Sequence, residues 1–220
     1  MKAKVLTGTN RKRGLEKAAM ESRSVIQSAP GPAKSKVVKE LESLDSKIRV
    51  CTACPLYKSR TLAVPGEGKF NSKVMIIGEA PGRNEDLTGR PFVGSSGKFL
   101  DHVLEGSEFD RSDFFITNIC KCRPPSNRTP KTGEIETCTS LYLYRQIELI
   151  NPRIIVLLGG VAVKKMLGKK TVEEARCGIV EHEGRKFLVT YHPAVRFYRE
   201  ELAEKIKEDF ALLKSEMKKL

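Results

Sequence analysis

The sequence predicts an α/β fold built around a parallel sheet, and three observations carry that prediction. Four short runs are apolar at nearly every position, which is typical of strands covered on both faces: residues 74–77, 114–117, 154–158 and 187–190. The stretches between them are long enough for crossover helices, such as residues 97–104, 135–150 and 161–167. Glycines or polar residues follow each run directly, as they do where ligands bind beyond the carboxyl ends of strands.

The first 35 residues differ in composition from the rest of the chain. They are basic and rich in Ser, Ala, Gly and Pro. Their apolar residues follow no sustained helical or strand periodicity, although residues 15–26 are compatible with one short helix. The run Ala29-Pro30-Gly31-Pro32 ends any helix that reaches it. We therefore expect a basic flexible arm over residues 1–35 and one domain over residues 36–220. The arm is either a solvated tail or a source of added phosphate contacts.

Two amphipathic helices are predicted at the ends of the domain. Apolar residues recur at helical spacing in the first, before the cysteines, and along one face of the last: Val37, Val38, Leu41, Leu44 and Ile48, then Leu202, Ile206, Phe210, Leu213 and Met217.

Charge and cysteine content narrow the class of protein. A net charge of +13 over 220 residues favours polyanionic partners, although charge alone is equally compatible with a merely basic protein. No apolar run approaches the length of a membrane-spanning helix, so we expect a soluble protein without a membrane partner. Six cysteines without a signal peptide indicate a reducing intracellular compartment, the cytoplasm.

Four of the cysteines are candidate metal ligands. Cys51 and Cys54 form a CxxC pair, and Cys122 and Cys138 follow further along the chain. Four thiolates suit either zinc or an iron–sulfur cluster, and their spacing does not choose between these two. Cys120 and Cys177 are more readily explained as unrelated thiols.

The turn after the first strand combines glycines, carboxylates and an aromatic residue. Gly78-Glu79-Ala80-Pro81-Gly82 is followed by Glu85-Asp86 and by Arg90-Pro91-Phe92-Val93-Gly94. Phe92, between proline and glycine, is well placed to stack on a flat ring, or else it plugs the edge of the sheet. The turn is neither GxGxxG nor a P-loop, so it gives little support for a nucleotide cofactor.

Two polar residues lie at the end of, or just after, later strands. The amide of Asn118 offers a donor beside an acceptor, the pattern that reads O4 and N3–H of uracil and is mismatched to cytosine; the alternative is a loop cap. His192, stiffened by Pro193, is either a polarising hydrogen-bond donor or an ordinary loop histidine.

Together these motifs resemble those of the family 4 uracil-DNA glycosylases over about residues 40–215. The resemblance rests on the motifs quoted above and on Lys121-Cys122-Arg123-Pro124-Pro125, Asn127-Arg128 and His192-Pro193-Ala194. It implies a three-layer α/β/α sandwich around a four-stranded parallel sheet. It also implies a [4Fe–4S] cluster, and the matching ligands here are Cys51, Cys54, Cys122 and Cys138.

The resemblance further implies a reaction and a set of site residues. The enzyme would flip uracil out of single- or double-stranded DNA and hydrolyse its N-glycosidic bond without cutting the strand, which initiates base excision repair. Phe92 would stack on the ring, Asn118 would bind the O4/N3 edge, and His192 would donate toward O2. Backbone groups at Glu79 and Ala80 would complete the pocket, and Glu85 would crowd the C5 face. Glu79, Glu85 and Asp86 are the candidates for orienting the attacking water.

One segment departs from the family pattern, and two rival functions stay open. Residues 195–199 read Val-Arg-Phe-Tyr-Arg where leucines are usual, so Phe197 is either an aromatic wedge or a core residue of the last helix. The rivals are a non-catalytic or covalent uracil-DNA binding protein and a zinc-dependent nucleotide hydrolase. We expect a monomer, and a replication clamp is one candidate partner of the arm.

Overall fold

A computed structural model describes the backbone of residues 32–219 and the side chains of residues 36–219. The short helix predicted around residues 15–26, and nearly all of the predicted arm, lie outside these residues. The first described helix begins at Pro32, four residues before the predicted domain boundary.

One five-stranded sheet forms the centre of the fold. The strands are β1 (Val74–Gly78), β2 (Phe114–Asn118), β3 (Ile154–Leu158), β4 (Ile179–His182) and β5 (Arg185–Thr190), in the spatial order β2-β1-β3-β5-β4. β1, β2, β3 and β5 are mutually parallel, which confirms the predicted four-stranded parallel sheet. β4 adds an antiparallel edge strand that the sequence analysis missed.

β4 escaped prediction because its residues are only half-buried and two of its four are polar. It pairs with β5 through a hairpin whose turn residues, Glu183 and Gly184, have φ of 47° and 71°. Positive φ at both turn positions is the type I′ geometry that matches the twist of paired strands. Glycine at the second of these positions is the signal in the sequence that marks the hairpin.

Helices cover both faces of the sheet, and every residue of β1, β2 and β3 is therefore buried. The helices are α1 (Pro32–Arg49), α2 (Arg83–Thr88), α3 (Ser95–Gly106), α4 (Thr132–Cys138), α5 (Tyr144–Ile150), α6 (Gly160–Leu167), α7 (Val172–Ala175) and α8 (Glu201–Met217). A π-helical turn, Thr139–Leu143, joins α4 to α5, so the helix predicted over residues 135–150 is continuous. Helix α3 packs on α8, and α1 packs on α5.

The carboxyl ends of the four parallel strands meet at one edge of the sheet. Gly78 at the end of β1 lies in register with Asn118 at the end of β2, and Leu158 of β3 pairs with Thr190 of β5. The polar residues that follow these strands are therefore brought to a single edge, as expected for an open parallel sheet. Among residues 32–219, none of the helices has the length and apolar character needed to cross a bilayer.

Candidate active site

A cavity of about 420 Å³ opens at this edge of the sheet. All six residues predicted to bind substrate line it, drawn from four separate segments of the chain: Glu79, Ala80, Glu85, Phe92, Asn118 and His192. The motifs that looked separate in the sequence thus share one concave site, which is the usual form of a small-molecule pocket.

Asn118 presents an unsatisfied amide to this cavity. Its side chain is only 2% exposed, and its Oδ1 receives no hydrogen bond from any described residue. Gly78, its neighbour in register, provides the space that the Asn118 and Phe92 side chains need. A Cβ at Gly78 would lie 2.5 Å from both Asn118 Oδ1 and Phe92 Cζ. A buried polar atom without a partner costs free energy, so this amide is poised to bind a ligand with a complementary polar edge.

Phe92 is held in an unusual backbone conformation at the cavity wall. Its φ is 49°, in the left-handed region, and its ring lies 5.8 Å from the ring of His192, centroid to centroid. Gly97 permits this, since a Cβ there would come within 1.9 Å of the Phe92 carbonyl oxygen. The strained position supports a specific role for the ring and disfavours the alternative of a simple plug.

Arg111 fixes the loop that carries Phe92. Its guanidinium donates to the carbonyl oxygens of Pro91 (2.6 Å) and Phe92 (3.3 Å) and pairs with Asp101 (2.7 Å) and Glu67 (3.3 Å). Arg111 could not be predicted from the sequence, because it lies in no motif and about 20 positions from the loop that it holds.

Glu85 organises the site through the backbone. Its carboxylate accepts hydrogen bonds from the N–H groups of Gly82 (3.1 Å), Val93 (2.9 Å) and Gly94 (2.7 Å), which tie the start of α2 to the Phe92 loop. A carboxylate committed to three backbone donors is poorly suited to orient water. Asp86 does not line the cavity, and its carboxylate accepts from the Thr61 N–H at 2.8 Å.

Glu79 is the remaining candidate carboxylate at the cavity. Burial raises the pKa of its carboxyl group, and a hydrogen bond with the Thr129 side chain partly opposes that effect. Glu79 and Thr129 both line the cavity. Of the three predicted carboxylates, Glu79 is therefore the best placed to act on a bound molecule.

His192 is neutral at pH 7 and has a defined tautomer. Burial lowers the pKa of its imidazole to about 4, although the charge of Glu85 acts in the opposite direction. Nδ1 accepts a hydrogen bond from the Ala194 N–H at 3.2 Å, so the single proton of the ring is on Nε2. Gly159 lets the histidine approach, because a Cβ there would lie 2.9 Å from the Cβ of His192.

The lowered pKa of His192 predicts a pH-dependent stability. The unfolded histidine binds a proton near pH 6.5 and the folded one only near pH 4, so between these values the unfolded state binds more protons. The free energy of unfolding should therefore fall as pH drops from 6.5 to 4. Chemical denaturation of the native chain and of His192→Gln at pH 4.5 and 6.5 tests this. The variant should lose less stability at the lower pH, and an equal loss in both proteins would contradict the assignment.

Three of the four predicted metal-ligand sulfurs accept an N–H hydrogen bond. The donor–acceptor distances are 3.4 Å from Ala53 N to Cys51 Sγ, 2.9 Å from Arg60 Nη1 to Cys122 Sγ and 3.2 Å from Lys121 N to Cys138 Sγ. Donors of this kind stabilise thiolates that hold metal. Burial raises the pKa of the fourth thiol, that of Cys54.

The two remaining cysteines have other environments. Cys177 is exposed and its thiol points to the Ala175 carbonyl. Cys120 is buried, and its hydrogen bond with Cys138 lowers the pKa of the Cys138 thiol. Among the described side chains, no three His, Cys, Asp or Glu groups converge as ligands of one metal ion would.

Two exposed aromatic residues follow the His192 motif, and two half-buried arginines follow Cys122. Tyr198 lines the cavity and is 86% exposed, while Phe197, at the end of a 3₁₀ helix before α8, is 51% exposed and so does not face the core. Arg128, which belongs to the Asn127-Arg128 motif, is already paired with Glu134 through two contacts of 2.9 and 2.7 Å. Arg123, which is half-buried, donates to Asn127 Oδ1 at 2.6 Å.

Comparison with known proteins agrees with this geometry. Residues 65–214 match the model of the uracil DNA glycosylase superfamily. A type-4 uracil-DNA glycosylase of Saccharolobus solfataricus is 43% identical over 184 residues, 79% of this chain and 85% of that protein. Proteins of the same name from Pyrobaculum aerophilum and Thermotoga maritima are each 41% identical, over 79% and 81% of this chain and 92% and 95% of their own.

Proposed function

The chain belongs to the uracil DNA glycosylase superfamily, and from this membership we infer that it is a DNA glycosylase acting on uracil at the start of base excision repair. We further propose that it is a monofunctional hydrolase whose reaction takes place in the cavity between Phe92, Asn118 and His192. The observation that carries this proposal is the buried, unpartnered amide of Asn118 in a cavity that also holds an aromatic ring and a neutral imidazole donor.

Recognition follows from the chemistry of that amide. Uracil presents O4 as an acceptor beside N3–H as a donor, which pairs with the two ends of the Asn118 side chain. Cytosine presents the inverse pattern and would leave buried polar atoms unpaired, a mismatch that costs a factor of about 10⁴ or more in sites of this type. Phe92 supplies the flat apolar surface for the flipped ring.

Bond cleavage follows from the neutral His192. As the glycosidic bond breaks, negative charge grows on uracil O2, and Nε2–H donates to that oxygen. A donor already oriented by the Ala194 N–H needs no rearrangement during the reaction and stabilises the transition state more than the ground state.

Glu79 orients the attacking water, whereas Glu85 stabilises the fold. Two matched substitutions should distinguish these roles. Glu79→Gln should slow single-turnover uracil release by about 10²-fold without changing Tm, in keeping with the loss of a general base. Glu85→Gln should lower Tm by several degrees, because charged hydrogen bonds worth about 1.5–3 kcal/mol weaken. An unchanged rate in Glu79→Gln would contradict this assignment of roles.

The space vacated by the flipped base is filled by Tyr198, the most exposed aromatic residue at the cavity. Base–aromatic stacking is worth about 1–3 kcal/mol, so Tyr198→Ala should slow excision from duplex DNA by about 10-fold. Excision from a single strand should change far less, since no neighbouring stack needs support. Equal losses on both substrates would show that Tyr198 acts otherwise, and Tyr57→Ala is a control at an exposed tyrosine that does not line this cavity.

A four-cysteine centre completes the proposal. Cys51, Cys54, Cys122 and Cys138 would hold a [4Fe–4S] cluster, which would link the segment after α1 to the loop behind Asn118. The N–H donors on three of the four sulfurs support this assignment.

The proposed activity is tested with a labelled oligonucleotide that carries one uracil, either single-stranded or opposite G or A. Strand cleavage at uracil only after hot alkali, with a thymine control intact, is the expected result. Cleavage without alkali would contradict a monofunctional mechanism. A complex that survives denaturation, or no excision from iron-loaded protein, would instead support the uracil-DNA binding rival. A colourless protein that releases phosphate from nucleotides would support the zinc hydrolase.

A further inference from the structure

A buried lysine lies directly behind the uracil-reading residue. The side chain of Lys121 is 1% exposed, and its Nζ donates to the backbone carbonyl of Asn118 at 2.8 Å and to Thr117 Oγ1 at 2.6 Å. Thr117 Oγ1 in turn donates to the Pro65 carbonyl, which also accepts from Gln146 Nε2, at 2.8 and 2.9 Å. Lys121 is thus the charged end of a buried polar chain beneath β2.

This ammonium group has no carboxylate partner at contact distance among the described residues. Asp45 and, as thiolates, the sulfurs of Cys122 and Cys138 are the groups whose negative charge would act on it. A buried cation without a counterion is strongly destabilising, so the fold keeps Lys121 at a cost unless negative charge lies nearby.

The backbone of the same residue contacts the cysteine site. Lys121 lies between Cys120 and Cys122, and its N–H donates to Cys138 Sγ at 3.2 Å. One residue therefore touches a candidate metal ligand through its backbone and the backbone of Asn118 through its side chain. These contacts join two sites that are otherwise separate in function.

We propose that Lys121 is a positioning residue that holds the Asn118 backbone in register for uracil recognition, with the thiolate-held centre as its counter-charge. The proposal rests on the function proposed above and extends it: the cysteine centre supports base recognition through a buried charge without touching the substrate. Lys121 contacts no substrate itself, since it does not line the cavity.

The test is a double-mutant cycle between Lys121→Met and Asn118→Ala, measured as single-turnover uracil release per iron-loaded molecule. Lys121→Met alone should lower the rate by about 10- to 100-fold, and in the Asn118→Ala background it should have little further effect. Additive losses would overturn the proposal. Lys165→Met, which removes another lysine that is paired with Glu136 far from this cavity, should leave the rate unchanged.

A second readout does not depend on activity. Loss of a buried positive charge beside the centre should lower its reduction potential in both Lys121→Met and Lys121→Gln but not in Lys165→Met. Lys121→Gln keeps an N–H donor for the Asn118 carbonyl, so it should recover part of the rate, and it replaces the methionine variant if that protein fails to fold. An unchanged potential, or no recovery with glutamine, would refute the proposal. Failure of the proposed function itself would look different, because the native chain would then release no uracil.

Discussion

Replacing Asn118 with alanine should lower kcat/KM for uracil release by about 10³-fold, the largest effect that we expect from any single substitution. Among the described residues of β2, Asn118 is the one that lines the cavity, and its amide packs so closely on Gly78 that a Cβ there would lie 2.5 Å from Oδ1. Without it, O4 and N3–H of the flipped ring would lose their hydrogen-bond partners in the protein. Single-turnover excision from a uracil-containing strand measures the loss.

The stability of Asn118→Ala should not fall with its activity. The Asn118 Oδ1 is buried without a partner in the free protein, so its removal relieves an unpaired acceptor, and the free energy of unfolding should not fall. Asn71→Ala, at an exposed asparagine before the amino end of β1, is the matched control and should affect neither quantity. If Asn118→Ala lost stability in proportion to its activity, the amide would be a structural group and the recognition model would be wrong.

Replacing His192 with alanine should lower kcat by about 10²- to 10³-fold and leave KM within a few-fold of its original value. The difference between the two parameters arises because the Nε2–H donor strengthens its contact only as charge develops on uracil O2. Since the imidazole titrates near pH 4, the rate of the native enzyme should show no inflection at pH 6.5.

The control for this substitution is His102→Ala, because His102 is an exposed histidine of α3 outside the cavity. Its rate should match that of the native enzyme. A rise in KM with unchanged kcat in His192→Ala would show that the histidine binds substrate and transition state equally, which contradicts the role assigned to it.

Much of the fold could be predicted because the parallel strands are buried on both faces and therefore read as continuous apolar runs. The candidate site residues could be proposed because motifs directly after those strands reach the same edge of the sheet and resemble those of a known family. All six residues predicted to bind substrate line one cavity, which periodicity and spacing alone would not have required.

The features that could not be predicted depend mostly on contacts between residues distant in sequence. Nothing in the motif of Glu85 indicates that its carboxylate accepts from three backbone N–H groups, or that Arg128 is already paired with Glu134. Arg111 and Lys121 position Phe92 and Asn118 through backbone carbonyls, which leave no pattern in the sequence. The edge strand β4 is half-polar and so lacks the signal that marked the other four.

The most direct test is a crystal structure of the protein with an oligonucleotide carrying 2′-fluoro-deoxyuridine, whose electron-withdrawing substituent slows glycosidic cleavage. We expect the uracil flipped into the cavity, its ring against Phe92, its O4/N3 edge on the Asn118 amide and its O2 at Nε2 of His192. A flipped uracil bound outside this cavity, or with the Asn118 amide still unpaired, would contradict the account of how this enzyme recognises its substrate.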